Sequence, residues 1–289
     1  MNLGFNVFVP LSIDSEKIDS IWCEILMNEK KSKILKHPPQ EIKIWRYMDI
    51  SKFIYMLSKE ALVFPRVDKL DDPFEGSYSK PSIKIRERYY EERTKENIRN
   101  LFEQYKKFRS YTFVNCWHMN EFESDAMWKL YVKSDYGVAI QSTYRKLINT
   151  LNQAEDEPVI TVGQVEYIDY DNNSMIDDSN PLFAFYYKRK SFEHERELRV
   201  AFTRIPTEIG TFINLANIKD DDLNIAIDHS IDLDNTVEIL PINLDTLIEK
   251  IYVPPTSDDW FKEVIESLLE KFGLNINVER SGLQKDPIF

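Results

Sequence analysis

The stretch Glu195-Arg196-Glu197-Leu198-Arg199 combines acids and bases at a spacing that could do chemistry. Read as an extended strand, it sends Glu195, Glu197 and Arg199 to one face and Arg196 and Leu198 to the other. Carboxylates held beside a guanidinium can stabilise developing positive charge and bind a hydroxyl. The same alternation fits a solvent-exposed edge strand, and the pattern leaves both readings open. Just upstream, Lys188, Arg189 and Lys190 could contact phosphate or simply dress a surface. His194 is the one histidine next to these acids.

Other candidates lie further from this strand. Arg46 sits in the apolar run Ile42–Tyr47, where a charged residue reaches water, pairs with an acid or clamps an anion through its fork. Asp71-Asp72-Pro73-Phe74-Glu75 has too few oxygens for a calcium loop. It reads as a turn capped by carboxylates, with Phe74 anchored in the core. Strand alternation puts Cys116 and His118 on one face and Trp117 on the other. A buried thiol and a boundary histidine suit that segment better than a nucleophile and its base. Zincin, P-loop, nucleophile-elbow and dinucleotide-glycine patterns are absent, and no metal is expected.

These residues must be positioned by a fold that the rest of the sequence outlines. The chain has 289 residues, 43% of them hydrophobic and 30% charged, which suits a folded chain with a substantial core. A formal net charge of −12 argues against non-specific binding to phosphate backbones. Two cysteines make neither a disulfide framework nor a zinc site. The start lacks a basic, then apolar, leader, and no run approaches a membrane span, so a cytoplasmic protein is expected.

The expected class is α+β: a mixed β-sheet core with flanking helices, a charged helical insertion and a C-terminal β-α-β element. Residues 1–40 form an N-terminal helical segment, with a helix over 14–30, and residues 41–289 form a single domain. Strands are expected over 42–47, 61–65, 111–117, 137–141, 160–167, 195–202 and 248–253, with a last strand over 274–278. Helices are expected from Asp49, over 82–109 as the insertion, over 124–131, after Ser142 and over 183–192. The last helix, 258–271, turns Phe261, Val264, Ile265, Leu268 and Leu269 inward and ends at Phe272-Gly273.

Several of these residues together carry a family resemblance. They are Trp45-Arg46-Tyr47, Lys69-Leu70-Asp71-Asp72-Pro73-Phe74-Glu75, Met127-Trp128-Lys129-Leu130-Tyr131, Gly137-Val138-Ala139-Ile140, Val165-Glu166-Tyr167 and Glu195-Arg196-Glu197-Leu198-Arg199. The chain resembles, over about residues 42 to 285, the bacterial domain-of-unknown-function family numbered 2971, which includes abortive-infection proteins of phage defence. Asp71 replaces the usual asparagine of the turn, and Asn115-Cys116-Trp117 departs from the usual serine-phenylalanine-serine.

A second resemblance is to ADP-ribosyltransferases, in the order of Arg46, the Asn115-Cys116-Trp117 strand and the Glu195/Glu197 pair. It implies NAD as co-substrate. Glu197 would then be the catalytic carboxylate and Glu195 its partner. Arg46 would clamp the diphosphate, Tyr47 or Trp117 would supply a stacking surface, and Arg199 would join the cofactor site. The family's middle serine is not matched. The implied partners are a protein or nucleic-acid acceptor and a defence-operon protein, with no membrane. The alternative is a non-enzymatic sensor or partner-binding module of a bacterial defence system whose contact surfaces are the acidic surface and the charged 82–109 helix.

Overall fold

The apolar alternation of residues 43–49 makes a central strand, β1 (Lys43–Asp49), with Ile44 and Met48 buried on one side and Trp45 and Tyr47 on the other. The computed structural model describes residues 35–89, 103, 106–152, 160–172, 176, 181–206, 212–213, 230–284 and 287–288. The expected helix at 14–30 and most of the 82–109 insertion lie outside these residues.

From β1 the chain turns into α1 (Ile50–Lys59), which buries Phe53, Met56 and Leu57 at helical spacing. Each such side chain contributes roughly 1.5–3 kcal/mol when removed from water. Glu60 closes the helix in a left-handed conformation, φ 47°, and β2 (Ala61–Pro65) follows. The insertion begins as α2 (Lys80–Tyr89). Next come β3 (Thr112–Met119), α3 (Asp125–Tyr131), β4 (Gly137–Thr143) and α4 (Tyr144–Leu151). Ser124 and Thr143 cap α3 and α4 by accepting the N–H of Met127 and Lys146.

The expected strand over 160–167 is two strands, β5 (Thr161–Gln164) and β6 (Glu166–Ile168). Val165 between them donates its N–H to the Glu197 carbonyl. The helix expected over 183–192 is replaced by a 3-10 turn (Pro181–Tyr186), the short strand β7 (Tyr187–Arg189) and a second 3-10 turn (Lys190–Glu195). Pairing of β7 with β6 competes successfully with local helix preference here. Strand β8 (Glu197–Thr203) begins two residues later than expected, because Arg196 turns the chain in the left-handed region at φ 42°.

The short strands β9 (Ile205–Pro206) and β10 (Phe212–Ile213) pair with each other. Strand β11 (Val237–Pro241) pairs with β2, and the short helix α5 (Leu244–Leu247) leads out of it. The chain closes with β12 (Lys250–Val253), α6 (Asp259–Lys271) and β13 (Asn277–Arg280). This is the expected β-α-β element, with β12 and β13 parallel. Phe261, Ile265 and Leu269 of α6 are buried, whereas Val264 is exposed. Gly273 follows at φ 71°, a conformation glycine adopts freely.

Seven strands form one mixed sheet in the order β13-β12-β4-β1-β3-β8-β5, so the class is α+β. The larger apolar core covers the face carrying Ile44, Met48, Phe113, Trp117, Leu198, Val200 and Phe202. The opposite face carries Trp45, Tyr47 and Ala139 over one half and Val114 and Ala201 over the other. The sheet is joined at its middle by a short ladder, in which β1 meets β3 only at Ile44–Met119 and Trp45–His118. Beyond that point β1 runs beside β4, and β3 beside β8. Among the described residues no helix is long and apolar enough to cross a membrane.

One turn departs from expectation in a way that matters for the site. Phe74 is partly exposed, packed on Tyr170, and the buried members of the turn are Asp72 and Glu75. Asp72 Oδ1 accepts the Phe74 N–H at 3.0 Å. Gly76 then adopts φ 69°, and a Cβ there would overlap the Phe185 ring. Gly76→Ala is expected to cost about 2–4 kcal/mol through strain and overpacking, read from urea unfolding. A change under about 0.5 kcal/mol would mean that this turn is not rigidly set.

Candidate functional site

All seven residues of β8 are buried, because β3 and β5 flank it on its two sides. The exposed-edge reading is therefore excluded. Alternation puts Leu198 and Val200 into the larger core and turns Glu197 and Arg199 to the other face.

Arg199 is fully buried, and its donors are engaged. Nε reaches Glu197 Oε1 at 2.6 Å. Nη1 and Nη2 form a fork on Glu75 at 2.7 and 3.2 Å, and Nη1 also donates to the Phe185 carbonyl at 2.6 Å. A guanidinium committed in this way does not contact a cofactor. The cofactor-site role implied for Arg199 is corrected to that of an internal clamp on two carboxylates. Burial works against its charge, but Glu197 and Glu75 outweigh burial and keep it protonated.

Lys188 completes the cluster. The strand β7 aims its Nζ at Glu195 (2.5 Å), Glu75 (3.2 Å) and Glu197 (3.4 Å). Burial would lower its pKa, but Glu197 and Glu75 more than reverse that. Burial alone would also push Glu197 up, yet Arg199 and Lys188 hold it down at about 2. Three glutamates thus share two cations, which leaves one negative charge in excess.

The outermost carboxylate is Glu195. It reaches the cluster from the end of the second 3-10 turn rather than from the strand. Its Oε1 accepts the Tyr131 hydroxyl at 3.2 Å, and Tyr131 is itself 42% exposed. The Glu195 backbone carbonyl lies 2.6 Å from His118 Nδ1. That contact assigns the ring proton to Nδ1 and leaves an acceptor lone pair on Nε2. His118 Nε2 is buried without a partner, and burial lowers the imidazole pKa, so the ring is neutral near pH 7. The Cys116 thiol is pushed up by burial and then by Glu197, which makes it a poor nucleophile.

The remaining expected residues divide between the two faces. Tyr47 lies on the carboxylate side, its ring against Trp128 and His118, and its hydroxyl accepts the Ser124 N–H at 2.8 Å. Arg46 and Trp117 lie on the opposite face. Arg46 alternates with Ile44 and Met48 in the larger core, where Trp117 is 1% exposed. Arg46, expected to clamp the diphosphate, therefore does not share a face with Glu197, and Trp117 is not a stacking surface beside the acids. Arg46 donates from Nη2 to the Val63 carbonyl at 3.2 Å, a contact the sequence did not suggest. Among the described residues no group of three His, Cys, Asp or Glu is arranged to hold a metal.

Glu75, Lys188 and His118 were weighed from sequence for other roles, a metal-binding turn, a phosphate contact and a base for Cys116, and Tyr131 only as a packing residue. Glu75 and Tyr131 stood in the family motifs, but as turn and packing residues. Lys188 was hidden by the helical reading of its segment.

The sequence matches no family model, no curated protein and no solved structure.

The depressed Glu197 pKa has a sign. The group is ionised in the folded protein below the pH at which it protonates in the unfolded chain. Its contribution, on the order of 3 kcal/mol, is present above about pH 4.5 and is lost as pH falls toward 2. The acid limb of stability in the wild type is therefore expected to be steeper than in Glu197→Gln, measured by urea unfolding from pH 6 to 3. Parallel limbs would contradict the placement of Glu197 against Arg199 and Lys188.

Proposed function

We propose that this chain is an ADP-ribosyltransferase-like enzyme of bacterial phage defence, acting in the cytoplasm on NAD, with Glu195 rather than Glu197 as its working carboxylate. One observation carries the reading. Three glutamates share two cations, and the least enclosed of the three, Glu195, accepts the hydroxyl of Tyr131, a residue that is itself 42% exposed. A fixed carboxylate in a low-dielectric setting is suited to the positive ribosyl carbon formed when a glycosidic bond breaks.

In the proposed step the bond between ribose C1′ and nicotinamide nitrogen breaks, and its electron pair leaves with neutral nicotinamide. Glu195 stabilises C1′ until an acceptor hydroxyl or amine bonds to it and loses its proton to Glu195. Lys188 and Arg199 keep Glu197 ionised and hold Glu75 in place. The Arg46 clamp has no part in this scheme. Arg189 is the part-exposed cation beside the cluster. It is stacked on Phe74 and Phe192 at 4.6 and 5.2 Å and paired with Asp72 at 2.8 Å. It supplies the aromatic and cationic surface that a dinucleotide requires.

Purified protein is expected to release nicotinamide from NAD. Glu195→Gln should lower that rate at least ~100-fold with the melting temperature nearly unchanged, while Arg46→Met should leave it within about threefold. No NAD turnover together with no calorimetric NAD binding would overturn the reading. The alternative, a non-enzymatic binding module, is favoured by a different observation. Trp260 and Tyr136 pack with their rings 5.4 Å apart and tilted, and both residues are about half exposed, which suits a partner contact. In that case Trp260→Ala, and not Glu195→Gln, would abolish activity in cells.

A further inference from the structure

The ribbon of β2 and β11 has an outer edge that no described strand covers. Its register runs Val237–Pro65, Ile239–Val63 and Pro241–Ala61. The Arg66 N–H donates to the Thr236 carbonyl and the Ile242 N–H to the Glu60 carbonyl, both at 2.9 Å. Bonded pairs alternate along an antiparallel ladder, so Glu238 and Leu240 bond to β2 as well. Val237, Ile239 and Pro241 therefore turn their backbone groups away from β2. Val63 on the partner strand does the same, and its carbonyl is taken by Arg46 and Asn115. On the outer side of β11 no strand lies among the described residues.

The side chains match this bare edge. Val237 and Ile239 are 40% and 38% exposed, and Pro241 is exposed beside them. All three share one face of β11, next to half-buried Val63 and Pro65 on β2. Leu240 alternates into the larger core. Edge strands are ordinarily blunted by lysine, by proline or by an inward charge. β11 has no lysine, and its one proline stands at its end, where it removes an N–H but keeps its carbonyl. What remains is the N–H and C=O of Val237 and of Ile239, and these are the groups that a further strand requires.

The charge around the edge selects the occupant. Between Ser230 and Glu249 the chain carries Asp232, Asp234, Glu238, Asp245 and Glu249, and no Lys or Arg. Lys107 pairs with Asp232 and Arg66 with Asp68, while Arg204 lies 4.0 Å from Glu238. Asp234 at one end of β11, and Glu60 and Asp245 at the other, are exposed. A second copy would bring a like net charge of −12 to the same edge. We infer that β11 is a docking edge for an extended, basic segment of a protein partner, which adds to the ribbon as a further antiparallel strand. Residues of that segment opposite Val237 and Ile239 are apolar and exchange backbone bonds with them. The alternate residues are lysine or arginine, one of them opposite Glu238. This edge is separate from the glutamate cluster and does not depend on its proposed chemistry.

The test uses the whole chain and a short peptide of alternating lysine and valine, read by fluorescence anisotropy, sedimentation and amide exchange. The peptide is expected to bind saturably to a monomeric protein and to slow exchange of the Ile239 N–H at least ~10-fold. Replacing its lysines by glutamate should weaken binding at least ~10-fold. Methylating its valine nitrogens, which face β11, should weaken binding to a similar extent. Methylating its lysine nitrogens, which face away, should leave affinity within about threefold. Ile239→Pro removes an outward N–H and no bond to β2, so it should weaken binding at least ~10-fold with the unfolding midpoint nearly unchanged. The inference is overturned by no saturable binding, by equal binding of the lysine and glutamate peptides, or by indifference to valine methylation. A dimer that Ile239→Pro dissociates would also overturn it, because a second copy then fills the edge. So would an Ile239 N–H already protected in the monomer without peptide, because the chain then covers its own edge. The wild type with the methylated peptides decides the matter even if Ile239→Pro fails to fold.

Discussion

A guanidinium buried in the middle of a sheet is the constraint that the rest of this structure answers to. Arg199 has no exposure, and a charge in that position is tolerable only when it is paired and its donors are filled. Glu197, two residues away on the same strand, fills one side. Glu75 must be brought from a distant turn to fill the other, and the Phe185 carbonyl takes what is left. The turn at Asp72–Gly76 and the 3-10 segment before β7 bring these two partners to Arg199.

Meeting that need overshoots. Two glutamates on Arg199 would leave a buried negative charge, which Lys188 offsets, and Lys188 in turn draws in Glu195. The proposed chemistry rests on Glu195, the most exposed of the three acids. The opposite face shows the reverse imbalance, with a buried cation that no acid among the described residues pairs with. One sheet thus holds an anionic group on one side and a cationic one on the other, insulated from each other by its own backbone and apolar side chains.

Much of the sheet was legible in sequence because its strands carry strong two-residue periodicity. β1, β3, β4 and β12 fall within a few residues of the expected segments, as do the closing helix α6 and its glycine stop. The common face of Glu197 and Arg199 was legible for the same reason. The fate of Glu195 was not, since it depends on Arg196 adopting a left-handed turn that sequence alternation does not announce. The separation of Arg46 from Glu197 is a matter of register between strands remote in sequence. Alternation says that Arg46 shares a face with Ile44 and Met48. Only the pairing of β1 with β3 and of β3 with β8 says that Glu197 belongs to the other face. Glu75 was obscured because an ion pair formed over more than a hundred residues leaves no local pattern, and Lys188 because its segment reads as a helix rather than the strand it forms.

The claim beneath the whole account is that Glu75 and Arg199 grip each other in the interior, and a double-mutant cycle measures that grip directly. Glu75→Gln, Arg199→Met and the double variant would be compared with the wild type by equilibrium urea unfolding. The account predicts a coupling energy of at least about 2 kcal/mol, with the double variant more stable than the sum of the single losses. Additive losses, with coupling within about 0.5 kcal/mol of zero, would mean that the two residues do not meet and would contradict the account at its base.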